Sequence, residues 1–464
     1  MIHYDKRGLA TTAKTQYAVD AFDAAVDEFL GQGREATVIV GRLERLDSEM
    51  VIGQCLRGYF MKLGSRLHLE VMALDCLSRA KILADDANEQ ERKHVDALSF
   101  WCAGDLRRTK ATWEEILIDH PLDILAFRLA HNLHFFVGDL AAMRDSPTRI
   151  MARWSDAVPG YGYLLGCRAF ALEESGYALA GEPFGRRAVE MNEADIWAGH
   201  AVAHCLEAMG RRIDGITWIT AHSEAWRMRG PFANQVWWHR SLHYLELESY
   251  QDVLDAFDTE FWPAPSEDNT DITNATSILM RLVMLGVDVE NRWETIAEVC
   301  AGRVGDCLRS FNDLHFLMGL AMSDRYEEAG CIVERMRGFA DENARKGTTS
   351  ALVARDVGVP IAEAILAYAK RDYQGVIERM LLVRQHMVPL GGSWAQRDVW
   401  VRMLIDAARR GGEFNLARAL LAERVSEQPT SAPSWKIYGD VLERVGETTH
   451  AATARARATA LLAA

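Results

Sequence analysis

The chain has 464 residues, more than one compact core holds, so it is either a set of domains or a repeat array that grows by adding units. With 49% hydrophobic and 25% charged residues and only 11 prolines, it has the composition of an ordinary globular protein, which excludes disordered and fibrous classes. A net charge of -14, with acidic and basic residues interleaved, argues against a polyanionic partner, and nucleic acid is not expected.

The first residues, Met1-Ile2-His3-Tyr4-Asp5-Lys6, lack the basic start and apolar stretch of a secretory signal. No run reaches the roughly 18 apolar residues that cross a bilayer, so no membrane partner is expected and the protein is read as cytoplasmic. After Thr11-Thr12, apolar residues at Tyr17, Val19, Phe22, Val26 and Phe29 predict an amphipathic helix. The one stretch of strand character, Thr37-Val38-Ile39-Val40, serves equally well as a helix start. Residues 1–90 read as helical without a full repeat signature, and are expected to cap an array.

From Gly104 onward a tight turn between two amphipathic runs recurs, at Gly104, Gly138, Gly176, Gly210, Glu248, Gly286, Asp324, Arg371, Gly412 and Gly446. The first seven are spaced by 34 or 38 residues, and the later steps are 47, 41 and 34. A residue in the left-handed conformation there ends one helix and lets the next fold back on it. Each unit is then a helical hairpin that cannot bury its own apolar face, and stacking creates the core. Near the end, Trp435, Tyr438, Gly439, Leu442, Gly446 and Ala451 follow the tetratricopeptide pattern of aromatic, small, large, turn and close-contact alanine. The expected fold is all-α, a right-handed α-solenoid of tetratricopeptide-like hairpins. Its expected divisions are a capping region 1–90, central repeats 91–330, and C-terminal repeats 331–464.

Several stretches carry a more specific resemblance. Leu133-His134-Phe135-Phe136-Val137-Gly138-Asp139, Gly199-His200 through His204 to Gly210-Arg211, Trp237-Trp238-His239 through His243 to Glu246, and Asn312-Asp313-Leu314-His315 belong to it, as do the N-terminal Asp5-x-x-Gly8 and Phe22-Asp23. Together they resemble the tetratricopeptide repeat protein 38 family from about residue 5 to about residue 430. The resemblance implies an all-helical repeat protein and no agreed activity. Where that family often has a histidine before the paired tryptophans, this chain has Ala233-Asn234-Gln235.

Eight of the 14 histidines lie between residues 131 and 315. Residues four apart share a helix face, so His200 with His204, and His239 with His243, set two imidazoles side by side in a chelating arrangement. In tetratricopeptide arrays the first helix of each pair lines the concave groove about ten and six residues before the turn. His200, His204, Trp238, His239, His243 and His315 fall at or one step from those slots, whereas His131 and His134 fall at packing positions. The groove set is completed by Asn312 and Asp313. These residues are expected to bind a ligand, either a small molecule or a peptide. The two histidine pairs leave a divalent metal such as zinc open as a cofactor, and the plainer reading makes them hydrogen-bonding residues that shape a surface.

No HExxH string, glycine-rich phosphate cradle or nucleophile elbow is present. The main expectation is a binding protein. An enzyme, hydrolytic or metal-assisted, working through the paired histidines is the alternative, and homo-oligomerisation is left open. The eight cysteines are scattered with no CxxC pair and are expected to be free thiols.

Overall fold

The computed structural model describes residues 1–344 and 346–463. Among the described residues the chain is all-α apart from one short antiparallel hairpin, in which Ile2–Tyr4 pairs with Ala10–Thr12 and Ile2 faces Thr12. The Asp5 carboxylate closes this hairpin by accepting from the backbone N–H groups of Arg7 and Leu9 at 2.9 and 2.7 Å. Asn88 and Glu91 tie it down, donating to the Ala10 carbonyl and accepting from the Thr12 N–H. Four helices follow, Gln16–Leu30, Ala36–Leu46, Val51–Gly64 and Leu67–Leu83, so the 37–40 stretch is a helix start.

From Glu89 the chain is a succession of helical hairpins, beginning with Glu89–Cys102 and Leu106–Asp119 and ending with Ala432–Arg444 and Thr448–Ala463. All ten turn residues singled out in the sequence have positive φ, from Glu248 at 57° and Asp324 at 60° to Gly446 at 84°. At each, the next residue's N–H reaches back five residues to a carbonyl of the closing helix, at 2.8 to 3.0 Å. That is the hydrogen bond of the Schellman motif, which satisfies carbonyls a helix end otherwise leaves bare. At every turn but Gly286, where the second helix starts only at Arg292, the same next residue then leads into the second helix. Asp105, Asp139 and Asp372 each accept from the N–H three residues on. A single left-handed residue therefore stops one helix and starts its partner, and the fold is an α-solenoid of tetratricopeptide-like hairpins.

The chain forms two compact units. The first comprises residues 1–202, 224–232 and 339–353, and the second 203–223, 233–338 and 354–464. In the first unit, Trp113 is fully buried and packs edge-on against Tyr59 and Trp101 at 5.4 Å. In the second, Trp238 and Trp400 are fully buried. Among the described residues no helix is long and apolar enough to cross a membrane. The cysteines are free thiols, five of them buried.

Candidate ligand site

Every residue expected to line a groove is buried. His204, Trp238, His239 and His243 are at 0% exposure, His315 at 1%, His200 and Asp313 at 4%, and Asn312 at 6%. His131 and His134 are interior too, as their packing positions predict. His200 belongs to the first unit, where Phe170, Trp197 and Phe232 surround its ring at 5.0 to 5.7 Å. The other seven belong to the second unit.

Within the second unit, helix Phe232–Glu246 brings several of these side chains together because its apolar positions are interleaved with polar ones that also face inward. The ring of His239 lies 4.2 Å from that of His204 and packs edge-on to Trp238 at 4.8 Å. Its Nδ1 is 3.0 Å from Glu207 Oε2, and its Nε2 is 3.2 Å from the Gln235 amide nitrogen. This fixes a neutral tautomer that donates from Nδ1 to Glu207 and accepts at Nε2 from Gln235. Burial, with His204, His243 and Arg281 nearby, holds His239 well below the usual imidazole pKa. Burial also raises the Glu207 carboxyl, against the pull of nearby cations.

His243 stands over Gly215, where a Cβ would come within 2.1 Å of its Nε2. Neither of its ring nitrogens has a hydrogen-bond partner among the described residues, and burial lowers its pKa to about 4. His315 Nδ1 is 2.9 Å from the Thr276 hydroxyl, and its ring packs on Phe311 and Trp400. Burial and the charge of Arg281 lower it to about 3. Asp313, buried and near Asp306, is raised to about 8 despite Arg303 and Arg309. It titrates apart from the histidines, in a different set of charges.

The charged groups that organise the interior were, apart from Glu246, not among the sequence candidates. Glu207, Arg212, Glu246, Arg281, Asp398 and Arg402 line a cavity of about 30 Å³, with Ala208, Gln428 and Thr430 at its more exposed rim. Arg402 donates to Glu246 at 2.9 Å and to Asp398 at 2.6 Å. Arg424 makes a forked pair with the same Asp398 at 2.5 and 3.1 Å, and Arg212 lies 3.9 Å from Glu246. Burial would raise both acids, but the arginines outweigh it and hold Asp398 and Glu246 below the ordinary carboxylate range. Arg281 differs from its neighbours. Its hydrogen bonds go to the carbonyl and hydroxyl of Ser277 and to the Ala395 carbonyl, and its guanidinium lies 5.6 Å from the Trp238 ring centre. Burial lowers its pKa to about 9.

The available signal was an arginine inside an otherwise apolar run, Ile278-Leu279-Met280-Arg281-Leu282-Val283-Met284, where a solvated face is not expected. The first unit has a buried polar set of its own. There Asp123 accepts from His94 at 2.9 Å and from the Ala126 N–H, and Tyr59 bonds His94 Nδ1 at 3.1 Å. Those groups satisfy one another and tie helices together. Buried atoms without a hydrogen-bond partner among the described residues occur in both units, on Gln54, His131 and Asp195 in the first and on Trp238, His243, Asn274, His315 and Trp400 in the second.

No protein-family model matches the chain. Similar solved structures include a human IFIT1 dimer with PPP-AAAA, at 13% identity over 96% of this chain and 91% of that one, with a TM-score of 0.37. The APC/C hetero-tetramer Cut9-Hcn1 aligns at 13% identity over 96% and 88%, with a TM-score of 0.31. The P58(IPK) TPR domain aligns at 10% identity over 80% and 92%, with a TM-score of 0.22.

Proposed function

We propose that this tetratricopeptide-like repeat protein, a member of the tetratricopeptide repeat protein 38 family that its motifs resemble, binds a small molecule inside its second unit. The observation that carries the reading is a cavity lined by Arg281, Glu207 and Asp398, on whose wall Arg212 and Glu246 each keep a buried polar atom without a hydrogen-bond partner among the described residues. Buried polar atoms are nearly always hydrogen-bonded, so a cluster of exceptions beside a polar cavity supports a bound partner. A cavity of about 30 Å³ favours a small group over a peptide side chain. The histidines expected to line a groove would then shape and rigidify the wall, with Trp238 and His239 closest to the cavity through Arg281 and Glu207. A cytoplasmic location fits the unpaired cysteines.

A second reading, an enzyme of hydrolytic type, is supported by the contact between His239 and Glu207 alone. Both nitrogens of His239 are engaged, so acid or base work there would require Gln235 to turn away.

Denaturing the natively purified chain and analysing the released small molecules by mass spectrometry tests the main reading. One compound at near-stoichiometric amount, absent from an Arg402→Met variant, is the expected result. A chain that releases nothing, and that selects peptides from a display library, contradicts it.

A further inference from the structure

We infer that the ligand presents a carboxylate to Arg281, an inference that rests on the ligand reading above. The argument begins with donors. A guanidinium carries five N–H groups. The bonds to Ser277 and Ala395 use both hydrogens of Nη1 and one of Nη2. What remains is the Nε–H and one Nη2–H, two charged donors for the two oxygens of a carboxylate.

Charge leads to the same conclusion. The cavity wall carries three guanidinium groups, on Arg212, Arg281 and Arg402, and three carboxylates, on Glu207, Glu246 and Asp398, and Arg424 bonds Asp398 from behind it. Asp398 is taken by Arg402 and Arg424, and Glu246 by Arg402 and Arg212. Glu207 faces His239, a neutral donor. Arg281 hydrogen-bonds only neutral acceptors, and Asp398 and Glu207 attract its charge without bonding it, so a directly bonded counter-charge would stabilise it further. The aromatic face of Trp238 stabilises the cation without neutralising it. The size also fits, since about 30 Å³ holds roughly two or three water-sized groups, the bulk of a carboxylate.

Titration of the full-length chain with 13C-formate at pH 7 and constant ionic strength, read as carbon line width, tests the inference. Saturable broadening is expected in the wild-type chain. Arg281→Met is expected to weaken it roughly thirtyfold or more. Ala208→Trp, at the exposed rim and outside the buried pairs, is expected to block it while leaving the circular dichroism spectrum unchanged. Should Arg281→Met fail to fold, the Ala208→Trp variant decides alone. Equal broadening in the wild-type chain and the folded variants overturns the proposal. So does the absence of formate binding in a chain that releases a neutral or cationic compound on denaturation, in which case the small-molecule reading stands without it. A chain that neither binds formate nor releases any compound removes both.

Discussion

Glu246 and Arg402 are 156 residues apart in sequence, yet their carboxylate and guanidinium meet at 2.9 Å inside the second unit. Both side chains are largely buried, at 9% and 16% exposure. Arg402 also holds Asp398, so one guanidinium joins acids from two helices, Phe232–Glu246 and Trp394–Arg410. Removing one member of such a set strands a buried charge, whereas removing both members of a pair does not. Glu246→Met or Arg402→Met alone is expected to lower stability by about 3–5 kcal/mol. The double substitution is expected to cost clearly less than the sum. Urea unfolding midpoints of the four proteins check this, and simple additivity would show that the two groups act independently.

The buried histidines predict how stability depends on pH. A histidine whose folded pKa lies below its unfolded value of 6.5 stays neutral in the fold while the unfolded chain takes up a proton. Stability therefore falls as pH drops from about 6.5 toward about 4 for His243 and about 3 for His315. The full loss is on the order of 3 kcal/mol for His243 and 5 kcal/mol for His315. Below pH about 4 the depressed carboxylates Asp398 and Glu246 act in the same direction, because the fold must protonate acids it holds ionised. Chemical denaturation at pH 7, 5.5 and 4.5 should show a steep decline, reduced by His243→Gln; a flat profile would mean these rings are wetter than their burial indicates.

Asp313 has the opposite sign. Its folded pKa of about 8 lies above the ordinary carboxyl value of 3.8, so its favourable contribution is complete below pH about 3.8 and is lost as pH rises toward 8. Asp313→Asn is expected to stabilise the chain by roughly 1–3 kcal/mol at pH 8 and by almost nothing at pH 4. Thermal unfolding at the two pH values separates this from a general packing gain, which would be equal at both.

Gly215 and His243 make a close contact that can be tested as a pair. A methyl group on Gly215 would meet three atoms of the His243 ring at 2.1 to 2.7 Å. Gly215→Ala is expected to destabilise by about 1–3 kcal/mol through overpacking. Adding His243→Ala should recover most of that loss, and a double-mutant cycle with no coupling would place the ring elsewhere.

At the turns, Arg371 occupies a conformation that costs a side chain about 1 kcal/mol and that glycine adopts freely. Arg371→Gly should be neutral or stabilising by up to about 1 kcal/mol, while Gly412→Val should lose at least as much. Melting temperatures of the two variants moving in the same direction would refute the shared role of these positions.

The hairpin fold was legible because its punctuation is local. A left-handed residue, the capping side chain after it and the apolar period on either side lie within a dozen residues, and all ten turns could be read from them. The N-terminal strands were not legible, since three residues each give no alternation to detect. In the interior, histidines four apart announce a shared face, so His239 and His243 could be named. The partners that give them meaning could not. Asp398 and Arg402 read as ordinary charged helix positions until Glu207 and Glu246, more than 150 residues away, are brought to the same cavity. Position relative to the turn indicated which helix face these residues occupy, but not that the face would be covered by packing.

A crystal structure of the natively purified protein, with attention to the electron density between Arg281, Glu207 and Asp398, tests the central claim most directly. The account predicts non-protein density wider than a water molecule, lying in the plane of the Arg281 guanidinium on its Nε side. Separate water peaks alone, or a protein side chain filling the space, would contradict it.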